Sequence, residues 1–67
     1  MAAMAATYQR WRAEDIRTLA GAIAGHIRHH GSGNPEALAR VFAPHWMPSI
    51  DRRAAVRLAT AQIGRIR

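Results

Sequence analysis

The sequence contains no cysteine, no lysine and no long run of apolar residues. Without cysteine the chain forms no disulfide and offers no thiolate to a metal, which is compatible with a reducing cytoplasm. Its longest uncharged apolar stretch, residues 19–25, is far shorter than the ~20 residues of a membrane span. The start of the chain also lacks the positive and then apolar pattern of an export signal. We therefore expect a cytoplasmic protein with no membrane association.

Acidic residues are few as well. The chain carries four acidic side chains and ten basic ones, and its formal net charge is +6. All ten basic residues are arginine, whose planar fork of N–H donors fits phosphates and carboxylates. Such a charge attracts nucleic acid, acidic protein surfaces or anionic lipid. A GC-rich genome is an alternative reason for so much arginine and alanine.

Catalytic patterns are absent from the sequence. No nucleophile is paired with a base, and the four acids are assigned to the starts of helices. The turn Gly31-Ser32-Gly33 lacks the lysine and the spacing of a phosphate-binding loop. We expect no enzymatic activity and no cofactor.

Apolar residues at helical spacing predict a long first helix. The stripe begins at Ile16 and recurs to Ile27 without strand-like alternation. Gly31 follows three basic residues, an arrangement typical of a helix C-terminus. We therefore predict helix 1 over about 8–30, with the alanine-rich start of the chain, 1–6, frayed.

Prolines and cap residues mark two further helices. Asn34 and Pro35 combine an N-cap with a proline at the first helical position. A proline after residue 43 disfavours helix in the residue before it, so helix 2 is predicted over 34–43. Ser49 is a candidate cap for helix 3, predicted over 49–66.

These patterns predict an all-α fold, a single small three-helix domain over 1–67 with a long helix 1, a short helix 2 and a C-terminal helix 3. Val41 and Phe42 are expected on the inner face of helix 2, and Trp46 is expected to close the core. Alanine supplies much of the apolar content and buries little area, so the core is small. We therefore expect homodimerisation or a partner to complete it.

The strongest functional candidate is an outward arc of arginines on helix 3. A ridge of guanidinium groups can bind phosphates or an acidic protein groove. The plainer alternative is a charged, solvated face that keeps a small protein soluble. The residues assigned to a nucleic-acid or acidic-partner site are Arg52, Arg53, Arg57, Thr60 and Arg67.

Helices 2 and 3 are also a weak candidate for a helix-turn-helix. That motif uses a turn of about 3–4 residues, often with glycine, to place its second helix in the major groove. The connection over 43–48 is longer and contains two prolines and no glycine. If the motif holds, Ser49 joins the arginines at the start of helix 3 in facing the duplex.

A second candidate surface lies on helix 1. Trp11 between Arg10 and Arg12 has the composition of an interface hot spot, unless the tryptophan folds into the core. Gly21 and Gly25 lie off the apolar stripe, where each glycine costs about 1 kcal/mol relative to alanine. A closely packed partner helix would explain them. Tolerated glycine on an exposed surface is the alternative.

Histidines cluster near the end of helix 1. His26 and His30 are spaced to share a helix edge, and His45 is the remaining candidate for a third metal ligand. The favoured interpretation is that basic groups complement the C-terminal end of the helix dipole, so we expect no metal. Protonation of these histidines below about pH 6.5 would make partner binding pH-sensitive.

Taken with the charge, these features predict a small basic binding module. We expect helix 3 to dock an acidic partner, with nucleic acid first, as in a DNA-binding regulatory protein. The alternative is a protein-binding inhibitor or adaptor of the mobile-element or phage type, which blocks a host protein or a nucleic-acid-handling complex. The short helix-turn-helix turn is missing, which favours the alternative, whereas the one-sided arginine ridge favours nucleic acid.

Overall fold

The computed structural model describes residues 2–64, with side chains from residue 12 onward. It confirms the all-α prediction with three helices, which are α1 (Ala2–His30), α2 (Pro35–Phe42) and α3 (Ser49–Gly64). Helix α1 begins at Ala2, six residues earlier than predicted, because the start of the chain is rich in alanine, the strongest helix former. Within 2–64, none of the helices combines the length and the apolar character that crossing a membrane requires.

Short-range hydrogen bonds define the turn from α1 to α2. Gly31 adopts a φ of 79°, and its N–H donates to the carbonyl of Ile27 at 2.7 Å, which ends α1 in the left-handed cap predicted for this glycine. The Asn34 side chain accepts from the N–H groups of Glu36 (2.9 Å) and Ala37 (3.3 Å). It therefore caps α2 as predicted, and Pro35 takes the first helical position.

Gly33 allows this turn to lie close against the helices. Its φ is 158°, and a Cβ built on it would lie 3.0 Å from Cγ1 of Ile27 and 3.2 Å from Cδ1 of Leu38. Both atoms belong to side chains that pack against the core. A larger residue at position 33 would therefore displace them as well as strain the backbone.

Alanine dominates the core where the three helices meet. Ile23 is completely buried, and five of the eight buried apolar residues are alanine. Small side chains let the helices approach closely but bury little apolar area. The predicted apolar stripe of α1 is confirmed, because α1 contributes half of the buried apolar residues. These residues are Leu19, Ala20, Ile23, Ala24, Ala39, Met47, Ala55 and Ala59.

The inner face of α2 differs from the prediction. Val41 is 73% exposed and Phe42 40% exposed, whereas Ala39 is buried. Successive residues of a helix are about 100° apart, so Val41 lies about 200° around α2 from Ala39 and faces outward. Of the large residues of α2, Leu38 packs against the core.

The connection between α2 and α3 also places its aromatic residue differently. Trp46, predicted to close the core, is 60% exposed, and its neighbour Met47 is buried instead. The N–H of Met47 donates to the carbonyl of Pro44 at 3.0 Å, which tightens the turn around these two residues. Only one of the two adjacent side chains enters the core, and the flexible thioether of methionine fits an irregular gap more easily than an indole.

Candidate functional site

Helix α3 starts one residue earlier than a Ser49 cap implies. The carbonyl of Pro48 accepts hydrogen bonds from the N–H groups of Asp51 and Arg52, each at 3.1 Å. Ser49 is accordingly the first residue of the helix and is exposed. This arrangement fixes the rotation of the first turn and directs Asp51 toward the core.

Asp51 is the one acidic residue of α3, and it is buried. The Nε group of Arg12 donates to its Oδ2 at 3.1 Å, and an Arg12 Nη2 group donates to its Oδ1. These hydrogen bonds, helped by the positive charge of Arg12, hold the pKa of the Asp51 carboxyl below its usual value, although burial acts to raise it. The negative charge of α3 is therefore turned toward α1 and paired there.

An open groove of about 700 Å³ runs between α2 and α3. We call it the arginine groove, because four arginines from two helices line it together with a single acid. Apolar side chains complete the lining between the charged ones. Its residues are Glu36, Ala39, Arg40, Ser49, Ile50, Arg52, Arg53, Val56 and Arg57.

Three of the arginines predicted on α3 lie in this groove: Arg52, Arg53 and Arg57. Thr60 is exposed outside the lining, and its Oγ1 hydroxyl donates to the carbonyl of Val56 at 2.8 Å. That hydroxyl is thus satisfied within its own helix. Arg67 lies outside the residues that the structure describes.

Arg40 is a groove residue that the sequence reasoning missed. It is exposed near the end of α2, where a single arginine on a short helix resembles an ordinary solvated charge. Only the packing of α2 beside α3 brings it to the same groove as Arg53 and Arg57. The available signal was the four-residue spacing from Glu36, which predicts that the two side chains share a face of α2.

Ile50 is the most exposed of the large apolar side chains that line the groove. It is 61% exposed, whereas Val56 is half-buried and Ala39 is buried. Contact of an exposed isoleucine with water is unfavourable, so burying it against a ligand is favourable. The groove therefore offers a ligand an apolar contact as well as positive charge.

The second predicted surface, on α1, is only partly described. Arg12 pairs with Asp51 and joins α1 to α3, while the side chains of Arg10 and Trp11 lie outside the described residues. Gly21 and Gly25 are exposed, and a Cβ built on either would have no described atom within 4 Å apart from the neighbouring backbone of its own helix. Nothing within the described chain thus requires glycine there, and packing against a partner helix stays a prediction.

The histidines form ring contacts near the end of α1. The ring centroids of His26 and His30 are 4.3 Å apart, and His26 also meets Phe42 edge-on at 5.7 Å. His45 is exposed, and across the part of the chain with described side chains no group of three or more potential ligands is arranged to hold a metal. The candidate trio of His26, His30 and His45 is therefore not brought together as a metal site.

Comparison with known proteins found no match that bears on the groove. No family model, no curated protein and no solved structure matches this chain.

Proposed function

We propose that this chain is a non-enzymatic cytoplasmic binding module that docks nucleic acid, as a DNA-binding regulatory protein, through the arginine groove. One observation carries the proposal. Four arginines from two helices converge on one groove, while Asp51, the acid of α3, is turned away and paired. The lining offered to a partner therefore carries four positive charges and one negative charge.

A phosphate backbone suits this face better than an isolated anion does. The groove is open and is lined by four arginines, which can bind several charges of a polyanion at once. Arginine binds phosphate oxygens through two parallel hydrogen bonds, which adds geometric specificity to attraction. Glu36 reduces the attraction at the α2 side, so the greater share of phosphate contacts is assigned to α3.

The second candidate function is a protein-binding inhibitor or adaptor. A separate observation favours it, because Val41, Phe42 and Trp46 expose large apolar surface around the end of α2. Aromatic and arginine side chains are enriched at protein interfaces. An acidic protein surface would then replace the phosphates at the groove.

Binding to duplex DNA at several salt concentrations tests the proposed function. Four phosphate contacts predict that affinity falls about a hundredfold between about 50 and 200 mM salt. In the variant Arg53→Ala/Arg57→Ala, the loss of two contacts is expected to reduce that fall to about tenfold. Fluorescence anisotropy of a labelled random-sequence duplex measures both.

The matched control is Arg17→Ala/Arg28→Ala. It also removes two positive charges, but from exposed positions of α1 outside the groove. Its salt dependence should resemble that of the wild type. Equal losses in the two double variants would show attraction by net charge alone and contradict a groove-specific site. No duplex binding at low salt would reject nucleic acid in favour of the protein-binding function.

The proposed module is a homodimer. The core contains mostly alanine, and three large apolar residues outside the arginine groove, Val41, Phe42 and Trp46, are exposed on the described surface. A second copy would bury part of that area and add what the small core lacks. Analytical ultracentrifugation at micromolar concentration is expected to give about twice the chain mass of 7.4 kDa, and a mass of a single chain would contradict the dimer.

A further inference from the structure

Ile50 and the arginines of α3 together identify which nucleic acid the groove fits. We propose that the ligand is double-stranded DNA. Helix α3 lies in its major groove, where Ile50 contacts the C5-methyl group of thymine. This inference rests on the proposed function and adds to it the groove of the duplex that α3 enters and one base-reading residue.

Ile50, Arg53 and Arg57 lie in a row along α3. Residues three and seven positions apart share one face of a helix, and all three side chains line the arginine groove. The row covers about 10 Å of helix, with its apolar member at the first turn and its two guanidinium groups behind it. All three are exposed.

The major groove of duplex DNA matches this row in size and chemistry. It is about 12 Å wide and admits an α-helix, and α3 has 16 residues in which the acid points to the core. Phosphates beside the helix meet Arg53 and Arg57, while the base edges meet Ile50 at its start. Entry by α3 needs its exposed face only, so the long connection over 43–48 is no obstacle.

Thymine supplies the apolar group that Ile50 needs. On the base edges of the major groove, the C5-methyl group of thymine is the apolar feature, and the other groups are hydrogen-bond donors or acceptors. Uracil lacks this methyl group, and the major groove of an RNA duplex is too deep and narrow for side chains to read. An isoleucine surrounded by arginines therefore indicates DNA over RNA.

The opposing charge in the groove is consistent with the same orientation. Glu36 is the acid of the lining, and it belongs to the first turn of α2. Its carboxylate repels phosphates, so α2 stays at the rim while α3 enters. The Asp51 carboxylate is held on the other side of α3 by Arg12 and does not oppose the duplex.

Substitution of deoxyuridine for thymidine tests the methyl contact directly. A preferred duplex is first selected from a random pool with the full chain and is then synthesised in thymidine and in deoxyuridine forms. The wild type is expected to bind the deoxyuridine form about fourfold more weakly for each contacted methyl group. Ile50→Ala should bind both forms with equal affinity, close to that of the wild type for the deoxyuridine duplex.

The outcomes separate this inference from the proposed function. Equal affinity of the wild type for the two duplexes, or an undiminished preference in Ile50→Ala, overturns the methyl contact while salt-dependent binding through Arg53 and Arg57 still supports the groove. Tighter binding to RNA than to duplex DNA also overturns the inference. Failure to bind any nucleic acid at low salt overturns both. Circular dichroism of Ile50→Ala verifies that the exposed substitution leaves the helices folded.

Discussion

Replacing Ile23 with alanine is expected to reduce the free energy of unfolding by about 2–5 kcal/mol. Ile23 is the largest side chain that is fully buried in the described chain. The substitution removes apolar contacts and leaves a cavity between helices. The surrounding alanines are too short to fill that cavity, so the lost area is not recovered.

This effect is large relative to the whole protein. A domain of 67 residues has a free energy of unfolding of about 3–10 kcal/mol at typical values per residue. The Ile23→Ala variant is therefore expected to be substantially unfolded at 37 °C, or to unfold at a much lower urea concentration than the wild type.

Urea unfolding followed by circular dichroism measures the change, and Ile50→Ala is the matched control. The same atoms are removed from a side chain that is 61% exposed, so the control should change stability by about 0.5 kcal/mol or less. Similar losses in the two variants would contradict the placement of Ile23 at the centre of the core.

The ion pair between Arg12 and Asp51 is expected to make stability depend on pH. Because the pKa of Asp51 is lower in the folded protein than its ordinary value of 3.8, the unfolded chain takes up a proton first as the pH falls. The contribution of the pair is therefore fully present above the ordinary pKa and is lost as the pH falls through the folded pKa. Asp51→Asn should be less stable than the wild type at neutral pH, and the difference should shrink in acid.

Thermal unfolding of both proteins from about pH 7 to about pH 2 measures this convergence. Glu14→Gln supplies the control, because it makes the equivalent change at an exposed acid of α1. That variant should follow the wild type closely over the whole range. Parallel curves for the wild type and Asp51→Asn would show that the carboxylate of Asp51 contributes no pH-dependent stability.

Local patterns in the sequence were sufficient for the number and type of the helices and for the turn between α1 and α2. Gly31 and Asn34 act through hydrogen bonds to residues at most four positions away, so their roles follow from neighbouring residues alone. The stripe of α1 was also predictable, because a long helix repeats its apolar face over several turns. A single misplaced residue changes little in such a pattern.

The short α2 shows where local patterns fail. Eight residues make about two turns, and the inner face could be assigned to Val41 or to Ala39 with nearly equal support. The helices approach closely, so the small Ala39 is the residue that is buried. Val41 and Phe42 are therefore exposed. The burial of Met47 in place of Trp46 has a similar origin, because the shape of the gap between the helices determines which side chain fits.

The sequence by itself determined the three helices, the caps at Gly31 and Asn34 and the excess of arginine. The tertiary structure alone decided which distant groups meet: Arg12 and Asp51 are 39 positions apart, and Arg40 lies on a different helix from the arginines it joins. Periodicity specifies one face of one helix because it depends on residues a turn or two away. The pairing of faces depends on how three helices share a small core, which no short stretch of sequence contains.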